Sequence, residues 1–289
     1  MKGQTLGVWH NLNGLPREQL DDLAQRVEAL GYTALWYPEA IGYEAFSLGG
    51  YLLSQTSTLK VGSGIANIYA RDPLSTAQAH DTLNALYGGR FIMGLGVSHA
   101  PVVEGIRGHN YGKPVATMRA YLEAMAGTEL LTPEVEPQVV IAALGPRMLA
   151  LSAELTQGAL PYSVTPEHTA SARGILGPDR WLCVQQKICL ESDAATARQA
   201  ASNALGRHLQ LPNYRNSWLR QGFSEEDLAD GGSERFLDAI VSWGSADTIR
   251  AHIQAHFDAG ANHVCIEPVN PHDAAAPDWK AMETLAPTA

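Results

Sequence analysis

Short apolar runs alternate with amphipathic stretches along this chain, about eight times, always in the order strand then helix. No other feature narrows the fold as much. Strands joined through helices lie parallel, and a parallel sheet needs helices on its outer faces. The expected strands are 4–9, 34–37, 59–68, 91–95, 138–142, a very short one near Leu160, 181–190 and 263–266. Capping signals mark the helices between them. Asp72–Pro73 and Thr165–Pro166 each pair an N-cap side chain with a proline whose missing N–H costs nothing in the first turn. Leu20, Leu23, Ala24, Val27 and Leu30 fall at helical spacing and stop at Gly31. The stretches EALGYTALWYPE (28–39) and DAGANHVCIEP (258–268) both run helix, glycine, strand, then an acid beside a proline. Eight such units in ~270 residues favour a closed (β/α)₈ TIM barrel over an open sheet. Residues 1–270 are therefore read as one barrel domain, with a helical insertion at 211–235 before the last helix. The Ala/Pro-rich tail 271–289 is expected to be loosely held.

Charge removes several functional classes. Lys and Arg number 20 against 30 Asp and Glu, a formal charge of −10. Such a chain lacks the field that draws in nucleic acid or anionic membranes. No apolar run approaches the ~18 residues of a membrane span. The start, MKGQTLGVWH, has no signal pattern, and Cys183, Cys189 and Cys265 are scattered without a CxxC, which suits a reducing cytoplasm. No metal site is expected. His252 and His256 are four apart, but on an outer helix, where a solvated or half-buried face is the expectation. A P-loop, a GxSxG elbow and a Cys/His protease pattern are all missing.

A barrel of this kind carries its chemistry at the C-terminal ends of the strands. That rule selects His10, Glu39, Gly64–Ile65–Ala66–Asn67, Gly94 to His99, Gly145, Tyr162–Ser163 and Glu267. Gly62, Gly64, Gly94 and Gly96 sit in or just after apolar strands. Glycine there admits either a flat ligand against the backbone or crowding inside the barrel. GLGVS lacks the spacing of a dinucleotide fingerprint. Trp9, Trp36, Tyr69 and Tyr162 could serve as pocket walls or as barrel core.

The run LKVGSGIANIYARDPLSTAQAHDTLNALYGGRFIMGLGVSHAP (59–101) resembles the bacterial-luciferase-like flavin and deazaflavin oxidoreductases. GYTALWYPEA, ALGPRMLALSAELTQGALPYSVTPEHT and WGSADTIRAHIQAHFDAGANHVCI agree, so the resemblance spans about 5–268. It is strongest to the actinobacterial group that uses coenzyme F420. The resemblance implies a cis peptide at Gly64–Ile65 behind a tricyclic ring, with Ala66 and Asn67 beside it. Gly96, Val97 and Ser98 would line the ring or its side chain, and Tyr162 its wall. The coenzyme's phosphate would lie at a helix start, at Gly145–Pro146 or at Thr165. Two positions depart from the sugar-phosphate and alcohol dehydrogenases of the group. Glu39–Ala40 stands for their Asp-His pair, and His99 for their glutamate. His99, with an ordinary pKa near ~6.5, becomes the expected acid/base group. Glu39 is the expected cofactor or orienting contact, and His10 a second candidate. Arg71, Arg107 and Lys113 are expected to offset the coenzyme's anionic tail.

The implied function is an F420-dependent oxidoreductase that passes a hydride between the deazaflavin C5 and a small organic substrate. The alternatives are an FMN-dependent monooxygenase of the same fold and a non-catalytic flavin- or F420-binding protein. The 127–137 connection is short, so any lid must come from elsewhere, with 211–235 the candidate. Members of the family are commonly homodimers, and a homodimer is expected.

Overall fold

The computed structural model describes residues 3–274 and 276–287. In the first half, β1 (Thr5–Trp9), α1 (Arg17–Ala29), β2 (Ala34–Tyr37), α2 (Ala45–Ser54), β3 (Lys60–Ser63) and β4 (Ala66–Asn67) lead into α3 (Pro73–Leu86) and β5 (Phe91–Gly96). Then come α4 (Ala100–Gly105), α5 (Pro114–Ala126), β6 (Val139–Ile141), α6 (Pro146–Leu155), β7 (Gly158–Ala159) and α7 (Pro166–Leu176). The chain continues with β8 (Trp181–Cys189), α8 (Ala194–Leu205), α9 (Pro212–Arg220), α10 (Glu234–Ile240), β9 (Val241–Trp243), α11 (Ala246–Asp258), β10 (His263–Pro268) and α12 (Trp279–Thr284). The strands run β10-β1-β2-β3-β5-β6-β7-β8, and β8 pairs with β10 in parallel to close the ring. This is the expected (β/α)₈ barrel.

Three features were not expected. The third strand is not continuous: β3 ends at Ser63, the Gly64–Ile65 peptide is cis, and β4 pairs onward with β5. The cis bond lies where the resemblance implied it. The short helix α4 follows His99, and β9 adds to the upper end of β8. The tail differs as well. Ala281, Met282 and Leu285 of the α12 region are buried, and Tyr32 donates to the Met282 carbonyl at 2.7 Å. Arg26 stacks 3.5 Å over the Trp279 ring and pairs with Glu283. The tail is thus anchored on α1 over 279–285, contrary to the loose tail expected; Ala275, Thr288 and Ala289 lie outside the described residues. No described helix is long and apolar enough to cross a membrane.

Strand parity separates two cores. Leu35, Val61, Leu95, Ile141, Val184 and Ile266 belong to the layer shared with the helices. Trp9, Trp36, Ile92, Val140, Leu160, Cys183 and Cys265 fill the barrel interior. This interior explains the glycines. A Cβ on Gly62 would lie 2.5 Å from the Trp36 ring, and one on Gly96 the same distance from the Ile65 side chain. Gly94 makes room for the Ser63 carbonyl in the same way. Crowding among the protein's own atoms is therefore sufficient reason for these three glycines.

Histidines are built into both cores. His263 is fully buried, with Trp36 Nε1 donating to its Nε2 at 3.0 Å and Thr5 Oγ1 2.9 Å from Nδ1. His256 is fully buried between Thr169 Oγ1 at 2.8 Å and Gln186 Oε1 at 2.9 Å. The solvated or half-buried face expected there holds only for His252. Burial pushes both His256 and His263 down to about 3.

Two predictions follow from the packing. Gly62→Ala should destabilise the protein by about 1–3 kcal/mol through overpacking, and less in a background with Trp36→Leu; urea unfolding of the two single variants and the double measures both. Acid should also destabilise it. The unfolded chain protonates these histidines near pH 6.5 while the folded one holds them neutral, so stability falls as pH drops from about 6.5 toward about 3. Each histidine contributes up to about 1.4 kcal/mol per pH unit. Unfolding free energy measured between about pH 6.5 and 5 should fall less steeply in His256→Gln than in wild type. Equal slopes would refute the assignment.

Candidate active site at the barrel mouth

The residues singled out at the strand ends gather at one end of the barrel, and the structure gives them unequal roles. Glu39 follows β2 with a nearly buried side chain. One oxygen accepts from the Ala45 amide at 3.2 Å and the other from the Asn67 amide at 2.7 Å. Arg71 clamps both oxygens and also pairs with Glu44 at 2.7 Å. Glu39 thus ties α2, β4 and Arg71 together as an orienting group. Arg71 is correspondingly engaged, against the expectation that it would be free for an anionic tail.

Ser98 ends the β5 turn in the left-handed region, at φ 55°, and its carbonyl accepts from Tyr111 Oη at 3.1 Å. Tyr69 stacks on Tyr111 at 6.1 Å and donates to its carbonyl, so this aromatic braces the rim. His99 is the N-cap residue of α4, and its side chain makes no capping bond. Its ring is half-buried, beside Asn213, and 5.8 Å from the Tyr214 ring. Burial lowers its pKa below 6.5, with Asn213 acting against it. His10 is held down to about 4 by burial alone, and its Nε2 has no partner.

The two proposed phosphate positions differ. Thr165 caps its own helix through Oγ1 to the His168 amide at 3.4 Å, and its amide donates to Gln221 Oε1 at 3.1 Å. Gly145 has no side chain to cap α6. A Cβ there would lie 3.4 Å from an Arg220 guanidinium nitrogen, and Arg220 makes no ion pair among the described residues. An open helix start under an unpaired cation suits an anion; a start already capped does not.

The structure adds a cluster that the sequence reading left incomplete. Tyr162 and Glu267 were strand-end candidates, but Lys187 of β8 was not. Lys187 Nζ lies 2.5 Å from Glu267 Oε1 and donates to Tyr162 Oη at 2.8 Å. Tyr162 in turn donates to Glu267 Oε2 at 2.8 Å, and Gln185 Nε2 donates to the same oxygen at 2.6 Å. Burial pulls the Lys187 ammonium below its usual range, with Glu267 acting against it. Burial, reinforced by Glu267, raises the Tyr162 hydroxyl well above its usual range, so it stays protonated. Lys187 could have been found from parity: it follows Cys183 and Gln185 at two-residue steps, a lone cation on an inward face.

The insertion covers this cluster. Tyr214 of α9 meets Tyr162 at 5.9 Å and His208 at 4.8 Å, and Trp218 Nε1 donates to the Ser163 carbonyl at 2.9 Å. With Asn213 on His99 and Arg220 at Gly145, one helix touches the ends of β5, β6 and β7. A second opening of about 730 Å³ lies to the side, between Glu39–Glu44, Arg71 and Val102–His109. Arg107 and His109 on its rim make no ion pair among the described residues.

Comparison with known proteins agrees with this architecture. The luciferase-like monooxygenase family matches residues 4–263. A protein of Mycobacterium tuberculosis, provisionally named a coenzyme F420-dependent oxidoreductase, is 29% identical over 196 residues. That alignment covers 57% of this chain and 56% of the relative, so it spans about half of the relative's length. An F420-dependent secondary alcohol dehydrogenase, solved with an F420-acetone adduct, has the same fold at TM-score 0.76 and 14% identity, covering 99% of this chain and 97% of its own. The FMN complex of the oxygenating constituent of a Pseudomonas putida 3,6-diketocamphane monooxygenase reaches 0.72 at 16% identity, covering 98% and 96%. With the family match running over nearly the whole barrel, the chain belongs to the luciferase-like monooxygenase family.

Proposed function

We propose that this protein is an F420-dependent oxidoreductase that passes a hydride between the deazaflavin C5 and a small organic substrate at the barrel mouth. The observation that carries the reading is the uncapped start of α6 at Gly145 beneath the unpaired Arg220. Buried donors and acceptors without partners add support, because such atoms in a folded interior call for a ligand or water. Trp9 Nε1, His10 Nε2 and His208 Nδ1 are of this kind. When bound, the deazaflavin supplies two-electron hydride chemistry, and the protein supplies binding, orientation and a proton.

Each role falls to a residue already placed. Arg220 and the amides of Gly145 and Arg147 at the start of α6, where Pro146 has no N–H and Met148 and Leu149 donate to the Gly145 carbonyl, hold phosphate. Gly64 to Asn67 and Gly96 to Ser98 flank the ring, and Glu39 fixes the first of these segments through Asn67 and Arg71. His99 is neutral near pH 7, with one ring nitrogen able to donate and the other to accept. We assign it the proton transfer to or from the substrate's oxygen or carbon. Tyr214 and Asn213 close over it and exclude water. FMN is the alternative occupant of the same pocket. A homodimer is part of the proposal, supported by the exposed Leu74 and Leu86 on α3.

Fluorescence titration of the cofactor-free protein with F420 and with FMN tests the reading. Selective F420 binding is expected; selective FMN binding would move the protein to the oxygen-dependent branch, and binding of neither would refute both. Arg220→Ala should weaken F420 binding by roughly tenfold and flatten its salt dependence. His99→Ala should lower kcat by about 10²–10⁴ while the F420 dissociation constant stays unchanged. Turnover equal to wild type would remove His99 from the proton step.

A further inference from the structure

Each cation in the upper layer of the barrel interior is matched by carboxylate. Lys187, 1% exposed, is matched by Glu267 at 2.5 Å. At the other side of the mouth Arg71 is matched by Glu39 and Glu44. Arg220 over Gly145 and Arg107 on the side opening, which make no ion pair among the described residues, lie further out. An anion brought against the Lys187 layer would lose its hydration and meet no free positive charge. A neutral oxygen meets a different situation. Trp9 is 6% exposed, and its Nε1 has no hydrogen-bond partner. That N–H lies at the Gly64 end of the bulge, 2.8 Å from where a Cβ on Gly64 would stand. Its ring meets Tyr162 edge-on at 5.5 Å, and Lys187 Nζ sits 5.8 Å from its centroid. Indole nitrogen only donates, so the complement is an acceptor.

We propose that the substrate of this site is an uncharged molecule whose carbonyl or hydroxyl oxygen accepts from Trp9 Nε1, and that Glu267, by neutralising Lys187, excludes carboxylates and phosphates. This names the substrate class of the site proposed above and rests on that reading. Aromatic rings dominate the layer: Trp9 meets Tyr162, and Tyr214 and His208 pack directly on Tyr162 at 5.9 and 5.4 Å. Burial, reinforced by Lys187 and His99, holds His208 down to about 3, so the roof adds no charge.

Cyclohexanone and cyclohexanecarboxylate, similar in shape and different in charge, are the probes. Their binding is read by ligand-observed NMR on the cofactor-free protein and again with F420 or FMN present. Wild type should bind the ketone roughly tenfold more tightly than the carboxylate. Trp9→Phe should lose about tenfold for the ketone. Glu267→Gln, which frees the Lys187 charge, should gain carboxylate binding by at least about tenfold. Should Glu267→Gln fail to fold, as its melting curve would show, the double variant Lys187→Met/Glu267→Gln takes its place. Its neutral layer should still prefer the ketone. The proposal is overturned by equal binding of both probes to wild type, by no binding of either, by a folded Glu267→Gln with no gain, or by carboxylate preference in the double variant. Failure to bind F420 and FMN is read separately and would refute the cofactor reading instead.

Discussion

The pairing of β8 with β10 is the contact on which the rest of this structure depends. It runs from His263↔Cys183 to Pro268↔Ile188 and turns a row of parallel strands into a ring. Closure gives every strand an inside and an outside, so alternate residues enter different cores. It also fixes a register in which Glu267 lies beside Lys187. Both are inward positions at the upper end, and two opposite charges therefore meet in a layer dominated by aromatic rings. Such a pair adds little stability, because desolvation offsets most of its attraction. Its consequence is electrostatic: the floor of the mouth has charged residues and no net charge.

Closure also limits the interior volume. An eight-stranded ring has room for side chains and little else. Trp36, His263 and Ile65 take that room, and Gly7, Gly62 and Gly96 give it up; a Cβ on Gly7 would lie 2.7 Å from the His263 ring. The filled lower layers leave room for a ligand only toward the mouth, where the candidate site lies. There the helix α9 lies over the ends of β5, β6 and β7 and contributes Asn213, Tyr214, Trp218 and Arg220. The insertion belongs to the site as much as the strand ends do. Its cation stands at the rim, where an anionic cofactor group would lie, and its aromatics stand over the neutral floor.

Much of this was legible in the sequence, and the reasons are local. Asp72 and Thr165 cap helices through the side-chain bonds expected of them, because a cap needs only neighbouring residues. Strand alternation placed His10, Glu39, Ser98, His99, Gly145 and Tyr162 at one end of the barrel. The run around 59–101 carried the family. Less legible were residues whose role depends on distant partners. Glu39 was a candidate for cofactor contact or for orienting, and only its distant partners, with Ala45, Asn67 and Arg71 on its oxygens, give it the orienting role. His256 was assigned to a wet face, yet it is sealed by Thr169 and Gln186. The tail after Pro271 had no pattern to mark Met282 as buried.

By itself the sequence determined the barrel, the alternation of its strands and helices and the end at which the candidate site residues gather, since periodicity, caps and strand ends are short-range properties. Only the tertiary structure decided which candidates are free to act. Whether a carboxylate is open or clamped, whether a lysine is neutralised, and whether a glycine serves a ligand or a tryptophan depend on partners tens to hundreds of residues away. Glu267 meets Lys187, and Trp36 meets His263, only because the ring closes.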